Sequence, residues 1–319
     1  MKTIGVLTSG GDAPGMNAAV RAVVRTAIAS GLNVKGIRRG YNGLIEGEVF
    51  DITARDVSDI MHRGGTVLYT ARSPKFKTEE GVQQAVDNCK KFGIDGIVVI
   101  GGDGSYRGAR DLSLRGIPCV GIPGTIDNDI SSTDYTIGFD TAMNTVVEMT
   151  DRIRDTSQSH ERCSVIEVMG RNAGHLALQC GIAVGATAIL VPEIEKSVEE
   201  VIEKIKTVQA TGKKHFIVVV AEGIGGVEAI AKQIQEATGI DSRASVLGHV
   251  QRGGNPTLRD RVMATQMGYY AVKLLEKGIG NRVVALKNSE IVDYDIYEAL
   301  NMKKPFDEAM YKIADITSI

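Results

Sequence analysis

The sequence has little net charge, few cysteines and no apolar run that approaches the length of a membrane span. Its 319 residues hold 37 basic and 39 acidic side chains, and the formal charge of −2 gives no overall attraction to nucleic acid or to an anionic membrane. The four cysteines, Cys89, Cys119, Cys163 and Cys180, show no CxxC spacing, which fits reduced thiols. The amino terminus reaches a glycine turn too early for a signal peptide. We therefore expect a cytoplasmic protein that binds neither nucleic acid nor a membrane.

Glycine, in contrast, is abundant, and many glycines follow short apolar runs. There are 37 glycines in 319 residues, well above the average of roughly 7%. Strands are predicted at residues 2–8, 33–38, 95–100, 117–122, 163–168, 187–191, 215–221 and 243–249. Helical patterns lie between most of these runs, which predicts parallel sheets with helices on both faces. Residues 282–293 instead predict a hairpin around Asn288 and Ser289.

A glycine-rich segment, Gly101–Ser105, follows the strand formed by the β-branched residues 97–100. Glycines at a strand end let the backbone approach a ligand closely. We expect a helix to begin after Gly104, and its free amides would bind phosphate. Asp103, held at this turn, would bind Mg²⁺ directly or through its waters.

A second polar segment, Pro123–Asp129, follows the next predicted strand. Asp127 and Asp129 are two residues apart, so an extended backbone would place both on one side, separated by roughly 7 Å. A carboxylate there can accept a hydroxyl proton as a bond to phosphorus forms. Taken alone, the segment also fits a plain Asx turn. Together the two segments point to phosphoryl transfer.

The first predicted strand ends in a third glycine turn, within residues 6–17. The amide of Gly11 could contact a transferring phosphoryl group. The segment is neither a Walker A loop, which needs Lys and then Ser or Thr after its last glycine, nor a dinucleotide fingerprint. In isolation it also fits a tight turn that needs glycine for its backbone angles alone.

Five motifs resemble those of the bacterial ATP-dependent 6-phosphofructokinases, in the same order and over essentially the whole chain. They are TSGGDAPGMN at 8–17, GGDGS at 101–105, PGTIDND at 123–129, MGRNAG at 169–174 and LGHVQRGGNPTLRDR at 247–261. The resemblance implies two Rossmann-like, three-layer α/β domains with mostly parallel sheets and a ligand cleft between them. Residues 1–138 plus about 251–303 would bind ATP, and residues 139–250 plus about 304–319 would bind the sugar phosphate. It also implies a homotetramer.

The resemblance assigns residues to the nucleotide and to catalysis. Asp127 would be the general base for the 1-hydroxyl of fructose 6-phosphate, with Mg²⁺ at Asp103 and ATP as the co-substrate. The other catalytic residues would be Gly11, Arg72, Thr125, Asp129 and Arg171. The residues expected to contact ATP or ADP are Gly11, Tyr41, Arg72, Ser73, Gly102, Asp103, Gly104, Ser105 and Gly108.

The sugar phosphate would be bound by residues near the ends of apolar runs. By resemblance these are Thr125, Ile126, Asp127, Arg162, Met169, Gly170, Arg171, Glu222, Arg243, His249, Val250, Gln251 and Arg252. Several arginines offset a phosphate dianion better than one. Arg162 and Arg243 would reach across from a neighbouring subunit, so that the site is shared. Taken singly, His249 would be a core histidine on an apolar strand and Glu222 a loop carboxylate.

A basic set resembles the family's effector site, for which the expected ligands are ADP and phosphoenolpyruvate. Its members are Arg21, Arg25, Arg154, Gly185, Lys213, Lys214 and His215. Ala54 and Thr211 stand where relatives often have Arg, and Thr187 where an acidic side chain is usual. We therefore expect weak anion binding there. The remaining basic residues equally fit a solvated positive face.

Two other functions are open. Pyrophosphate-dependent relatives commonly carry Asp where Gly104 stands and Lys where Gly124 stands, so both glycines favour ATP. A sugar-phosphate sensor without activity would lack the base or the metal carboxylate, and this chain has both.

Overall fold

A computed structural model describes residues 1–318, in which helices and strands alternate. The strands are β1 Thr3–Ser9, β2 Asn33–Ile37, β3 Val49–Asp51, β4 Gly96–Gly101, β5 Cys119–Pro123, β6 Cys163–Val168, β7 Ala188–Leu190, β8 Phe216–Ala221, β9 Ser242–Val246, β10 Arg282–Lys287 and β11 Glu290–Asp295. The α-helices are α1 Met16–Ala29, α2 Gly40–Glu46, α3 Glu79–Lys91, α4 Asp103–Ser113, α5 Phe139–Ser159, α6 His175–Ala183, α7 Val198–Ala210, α8 Val227–Thr238, α9 Leu258–Glu276, α10 Ile296–Asn301 and α11 Glu308–Thr317. Short 3₁₀ helices cover Lys75–Lys77 and Gly248–Arg252.

The strands of the described residues form two sheets, which confirms the predicted α/β class with mostly parallel sheets. The larger has the order β11-β10-β5-β4-β1-β2-β3, and the smaller has the order β7-β8-β6-β9. All pairs are parallel except β2 with β3 and β10 with β11. The hairpin predicted at residues 282–293 is the pair β10–β11. The short edge strand β3 was not predicted.

The chain divides into two compact units. The first comprises Met1–Ile126, Ile130–Thr141 and Arg252–Lys304, and it contains the larger sheet. The second comprises Asp127–Asp129, Ala142–Gln251 and the residues from Pro305 onward. The segment Asp127–Asp129 thus belongs to the second unit, although the boundary expected from the sequence lay at residue 138.

Each unit has its own apolar core, because the central parallel strands are covered on both faces. In the first unit the side chains of β1, β4 and α4 meet in a cluster that includes Leu7, Ile97 and Leu112. In the second unit β6 and β8 pack against α7 and α8 through residues such as Val218, Ile205 and Ile234. These cores hold the strand ends, where the polar motifs lie, in fixed positions.

Two local predictions were wrong. The strand predicted at 243–249 ends at Val246, because Gly248 has a left-handed backbone, with φ of 55°, and Gly248–Arg252 turn into a 3₁₀ helix. His249 therefore does not lie on a strand. Helix α4 begins at Asp103, not after Gly104, because Gly102 already has the extended conformation of an N-cap residue.

Among the described helices, none is long and apolar enough to cross a membrane. The cysteines all have free thiols and are buried. Burial raises the pKa of Cys89 and of Cys163 to about 12, and it also raises the pKa of Cys119 and Cys180. Since the thiolate is the reactive form, these thiols are protected both by exclusion of reagent and by protonation.

We predict that the native protein resists alkylation by iodoacetamide at about pH 8, because a buried thiol there is neither exposed nor ionised. Mass spectrometry of the treated protein should find none of its four cysteines modified, and all four modified after unfolding in guanidinium. Rapid modification of the native protein would contradict the packing described above.

Candidate active site

Three of the sequence motifs meet because their strands are neighbours in the larger sheet. Strand β1 pairs with β4 so that Ser9 lies opposite Gly101, and β4 pairs with β5 so that Gly101 lies opposite Pro123. The carboxyl ends of β1, β4 and β5 therefore form one row. Each is followed directly by one of the glycine or aspartate segments, which is the usual position of ligand sites in open α/β sheets.

The first segment turns sharply from β1 into α1. Gly10 and Gly15 have φ of 89° and 101°, values that favour glycine. Gly11 is exposed, and a Cβ on it would lie 2.7 Å from Nη1 of Arg252. The same Nη1 donates to the carbonyl oxygen of Asp12 at 3.3 Å. Arg252, expected to bind the sugar phosphate, thus lies against the first glycine turn in this structure.

The second segment is tied to the first by a buried serine. The Ser105 hydroxyl donates to the carbonyl oxygen of Ser9 at 3.0 Å, so its side chain joins the ends of β1 and β4. The Ser105 side chain is therefore engaged within the protein. Asp103, the first residue of α4, accepts from Nε of Arg107 at 3.0 Å and keeps about two fifths of its side chain exposed (42%).

Two glycines of α4 have different structural roles. Around Gly104 there is open space, since a Cβ there would meet nothing within 4 Å. At Gly108 a Cβ would lie 2.6 Å from the ring of Tyr41. Tyr41 is only 4% exposed; its ring stacks on Phe76 with 4.1 Å between centroids, and its hydroxyl donates to the carbonyl oxygen of Ser105 at 2.6 Å. Gly108 and Tyr41, expected at the nucleotide, serve packing, and little of the Tyr41 ring is accessible to a ligand.

The third segment is bent, so the prediction of an extended backbone from Asp127 to Asp129 was wrong. The chain bends at Ile126 and Asp127, and Asn128 is left-handed with φ of 51°. An asparagine tolerates this conformation because its side chain is short and polar. The Asp127 side chain is buried, with 3% exposed, while Asp129 is half-buried and lies 3.9 Å from Nη1 of Arg171.

The segment that carries Arg72 and Ser73 is fastened to the first glycine turn by polar side chains. The Thr8 hydroxyl donates to the carbonyl oxygen of Tyr69, and the Thr70 hydroxyl donates to that of Gly10, at 2.9 and 2.8 Å. Asn17, only 1% exposed, donates from Nδ2 to the carbonyl oxygen of Arg63 at 3.1 Å and accepts from the amide of Val67 at 2.8 Å. Arg72 itself is exposed and available to a ligand.

The sequence analysis missed the role of Thr8, Asn17 and Thr70 in holding this segment. Asn17 gave a usable signal, because it is a polar residue among the apolar residues of the buried face of α1. A buried side chain that satisfies backbone groups of a loop fixes that loop's path.

In the second unit, polar side chains also fix the backbone of the motif that follows β6. Strand β6 pairs with β8 so that Val168 lies opposite Ala221, which brings Glu222 beside the residues after Val168. The Glu222 carboxylate accepts from the amides of Gly170, at 3.1 Å, and Arg171. The buried Gln251 accepts from the amide of Met169 at 3.0 Å. Glu222, expected to contact the sugar, is thus engaged with the backbone, and it holds the left-handed Arg171 (φ 57°) in place.

Arg162 and Arg243 share one carboxylate that the sequence analysis also missed. Nε of Arg162 lies 2.6 Å from Oδ2 of Asp241, and Nε of Arg243 lies 3.0 Å from Oδ1. The hydrogen bond from Arg162, with the charge of Arg243, holds the pKa of Asp241 below its usual range. The carboxylate therefore keeps the two guanidinium groups together. His249 and Val250, which lie in the 3₁₀ helix after β9, are exposed.

The expected effector residues fall on separate elements. Arg21 and Arg25 lie on α1. Burial of Arg21, and to a smaller extent the positive charge of Arg25, lowers the pKa of Arg21. In the second unit burial, then the charges of Lys213 and Arg154, lowers the pKa of His215. Lys214 pairs with Glu161 at 2.7 Å, Arg154 donates to the carbonyl oxygen of Val184, and Gly185 follows with a left-handed backbone.

The three departures from the effector pattern have different environments. Ala54 and Thr211 are exposed, whereas Thr187 is fully buried. A ligand could therefore reach the first two positions but not the hydroxyl of Thr187 as it stands.

The larger sheet, whose neighbouring parallel strands end in glycine turns at one row, defines an open-sheet α/β protein with its candidate ligand site at the carboxyl ends of the strands. A sequence model of the family Phosphofructokinase matches residues 3–275. The chain is 57% identical over 318 residues to an ATP-dependent 6-phosphofructokinase of Clostridium botulinum (strain Loch Maree / Type A3), with all of both chains covered. It is 56% identical over 319 residues to the protein of that name from Bacillus licheniformis, again over 100% of both. The chain belongs to the phosphofructokinase family.

A solved structure agrees with this assignment. The phosphofructokinase from Saccharomyces cerevisiae superposes with a TM-score of 0.89 at 36% identity. The alignment covers 100% of this chain and 48% of the yeast chain, so this chain spans about half the yeast chain's length.

We predict that Asn17→Ala lowers the free energy of unfolding by about 1–3 kcal/mol, because it leaves buried backbone groups without partners. Urea denaturation followed by circular dichroism measures this change. Asn42→Ala is the matched control: Nδ2 of the half-buried Asn42 donates to the carbonyl oxygen of Arg72 at 3.3 Å in a solvent-exposed hydrogen bond, so its loss should change little. Equal effects of the two substitutions would show that Asn17 does not fasten the loop.

Proposed function

We propose that this protein is an ATP-dependent 6-phosphofructokinase, which transfers the γ-phosphoryl group of MgATP to the 1-hydroxyl of fructose 6-phosphate and yields fructose 1,6-bisphosphate and ADP. This is a step of glycolysis. The observation that carries the proposal is the row of Ser9, Gly101 and Pro123, from which the two glycine turns and the segment that leads to Asp127 begin side by side. The identity of 57% to an ATP-dependent relative over the full length supports it.

The first unit binds the nucleotide in this proposal. The amides of Gly102 and Gly104 face the phosphates at the start of α4, where unpaired N–H groups and the helix dipole favour an anion, and the amide of Gly11 faces them from the turn before α1. Arg72, exposed beside the first turn, neutralises charge on the transferring group with its planar fork. The open space over Gly104 leaves room for the nucleotide.

Asp103 fits a role in holding Mg²⁺. It is partly exposed, and only its Oδ2 takes part in the contact with Arg107. Mg²⁺ in kinase sites is commonly held by one or two carboxylates together with substrate phosphates and waters, so one such carboxylate is a sufficient donor set. When bound, the ion neutralises charge on the phosphates.

Asp127 accepts the proton of the 1-hydroxyl, a task that depends more on position than on a large pKa shift. Its side chain is buried, and it lies two residues after Thr125, whose amide and carbonyl groups are both hydrogen-bonded within the first unit. Arg171 lies beside Asp129, where its charge can stabilise the transferring group.

The phosphate of the sugar is bound by His249 and Arg252 and by the pair Arg162 and Arg243. We propose that this pair, joined by Asp241, acts on the sugar phosphate of a neighbouring copy in a homotetramer. Met169 and Gly170, held by Gln251 and Glu222, line the sugar.

A pyrophosphate-dependent activity is the alternative, and the two donors leave different products. Purified protein with Mg²⁺ and fructose 6-phosphate should form fructose 1,6-bisphosphate with ATP and not with pyrophosphate. Turnover with pyrophosphate in place of ATP would replace the proposed donor. If neither ATP nor pyrophosphate supports turnover, the proposed function is wrong.

We predict that Asp127→Ser lowers kcat by roughly 100-fold or more with a modest change in the KM for fructose 6-phosphate, because a general base acts in the transition state. Steady-state kinetics measure both constants. Asp134→Ser is the control, since that carboxylate pairs with Lys287 at the surface and should not affect turnover. Wild-type kcat in the Asp127→Ser variant would remove the assignment of the base.

We predict a weak response to ADP as activator and to phosphoenolpyruvate as inhibitor. Two basic positions of the family's effector site are Ala54 and Thr211, and the third departure, Thr187, is buried. Each lost cation weakens anion binding. Initial rates at subsaturating fructose 6-phosphate, with and without each effector, measure the response. Strong effects of both would contradict the prediction.

A further inference from the structure

Asp260 is a buried carboxylate in the first turn of α9, in the motif Leu258-Arg259-Asp260-Arg261, to which the proposed reaction assigns no role. It is 0% exposed. Among the described residues no cation pairs with it, so its polar partners are hydrogen-bond donors. A buried ionisable group is costly unless such donors surround it, and its retention therefore needs a reason.

All of these donors come from one short segment. Oδ1 accepts from the hydroxyl of Tyr135 at 2.6 Å and from the amide of Gly138 at 2.7 Å. Oδ2 accepts from the amide of Thr141 at 2.9 Å and from the hydroxyl of Thr141. The carboxylate thus fixes residues 135, 138 and 141 together.

The motif Thr257-x-x-Asp260 would ordinarily be interpreted as a local helix cap. Oγ1 of Thr257 does accept from the amide of Asp260, at 3.3 Å. The amide of Thr257, however, donates to the hydroxyl of Thr141 at 3.0 Å, and the Asp260 side chain points to the 135–141 segment. The Asp260 carboxylate therefore accepts hydrogen bonds from residues 135–141 and does not cap its own helix.

The segment held by Asp260 in turn holds the backbone just before Asp127. The amide of Thr125 donates to the carbonyl oxygen of Ile137 at 3.1 Å, and the amide of Ile137 donates to that of Pro123 at 2.9 Å. The hydroxyl of Thr136 donates to the carbonyl oxygen of Thr125 at 2.7 Å. Residues 123–125 are thus paired with the stretch that lies between Tyr135 and Gly138.

Asp260 also touches the first glycine turn. A Cβ on Gly15 would lie 3.4 Å from Cβ of Asp260 and 2.7 Å from Ile137. Gly138 has φ of 104°, and a Cβ there would lie 2.7 Å from Cβ of Ala13. The 135–141 segment therefore packs against the turn that carries Gly11.

We propose that Asp260 is a positioning residue: by accepting hydrogen bonds from residues 135–141, it fixes residues 123–125, the backbone that leads to Asp127, next to the first glycine turn. For its kinetic readout the inference rests on the proposed function. An asparagine cannot replace the carboxylate, because it has one acceptor oxygen, and its amide group would face donors.

Asp260→Asn should lower kcat by about 10-fold to 100-fold, since a misplacement of about an ångström can cost roughly 100-fold. The KM values for ATP and fructose 6-phosphate should stay within about 2-fold, because neither ligand contacts this residue. Amide hydrogen exchange should become faster in the peptides that cover residues 123–129 and 135–141.

Asp293→Asn is the control, because Asp293 also accepts from a tyrosine hydroxyl, that of Tyr270, at 2.8 Å, but lies on β11, where it pairs with Arg282. It should leave both kcat and the exchange of residues 123–129 unchanged. Unchanged exchange at residues 123–129 in Asp260→Asn, or equal losses of kcat in the two variants, would overturn the proposal.

If Asp260→Asn does not fold, Tyr135→Phe removes one donor without changing the packing, and Tyr270→Phe is its control. A kcat several-fold lower in Tyr135→Phe alone is the expected result, and equal kcat in the two variants overturns the inference. If the wild-type protein does not phosphorylate fructose 6-phosphate, the proposed function fails, and hydrogen exchange still decides whether Asp260 positions the loop.

Discussion

The hydrogen-bonded register of β1, β4 and β5 is the constraint on which the candidate site depends. It places Ser9, Gly101 and Pro123 in one row, so three segments that are far apart in the chain begin side by side. A slip of one residue in either pairing would turn alternate side chains to the other face of the sheet. The near-complete burial of β1, β4 and β5 prevents such a slip, because it would move the whole packed set.

Buried polar side chains then fix the loops that leave this row. Ser105 joins the ends of β1 and β4, Asn17 fastens the segment before Arg72, and Asp260 gathers the segment after the base. In the second unit Gln251 and Glu222 do the same for the loop of Met169–Arg171. The residues proposed to meet ligand phosphates, such as Gly11 and Arg72, are exposed instead. The residues that hold the loops are therefore different from those proposed to contact the ligands.

The sequence predicted the strands well where apolar, β-branched runs were continuous, as at residues 95–100, found as Gly96–Gly101. It failed where a single backbone angle decided the path. Left-handed Gly248 ended β9 early, and left-handed Asn128 bent a segment predicted to be extended. Such angles depend on the surroundings, since asparagine adopts several conformations in isolation. Tyr41 and Gly108 illustrate a further limit, because both were expected at a ligand and the sequence did not predict that they also pack on each other.

The sequence by itself determined the α/β class, the strand segments and the residue types available at each strand end, because apolar periodicity and glycine-rich turns are local properties. Only the tertiary structure decided which of those ends are neighbours, that Glu222 is engaged with backbone amides, and that Asp241 and Asp260 are the carboxylates around which other groups are arranged. The physical reason is that strand pairing and burial of polar groups join residues that are far apart in the chain, such as Gly170 with Glu222 and Tyr135 with Asp260, and no local pattern records which partner a buried carboxylate will find.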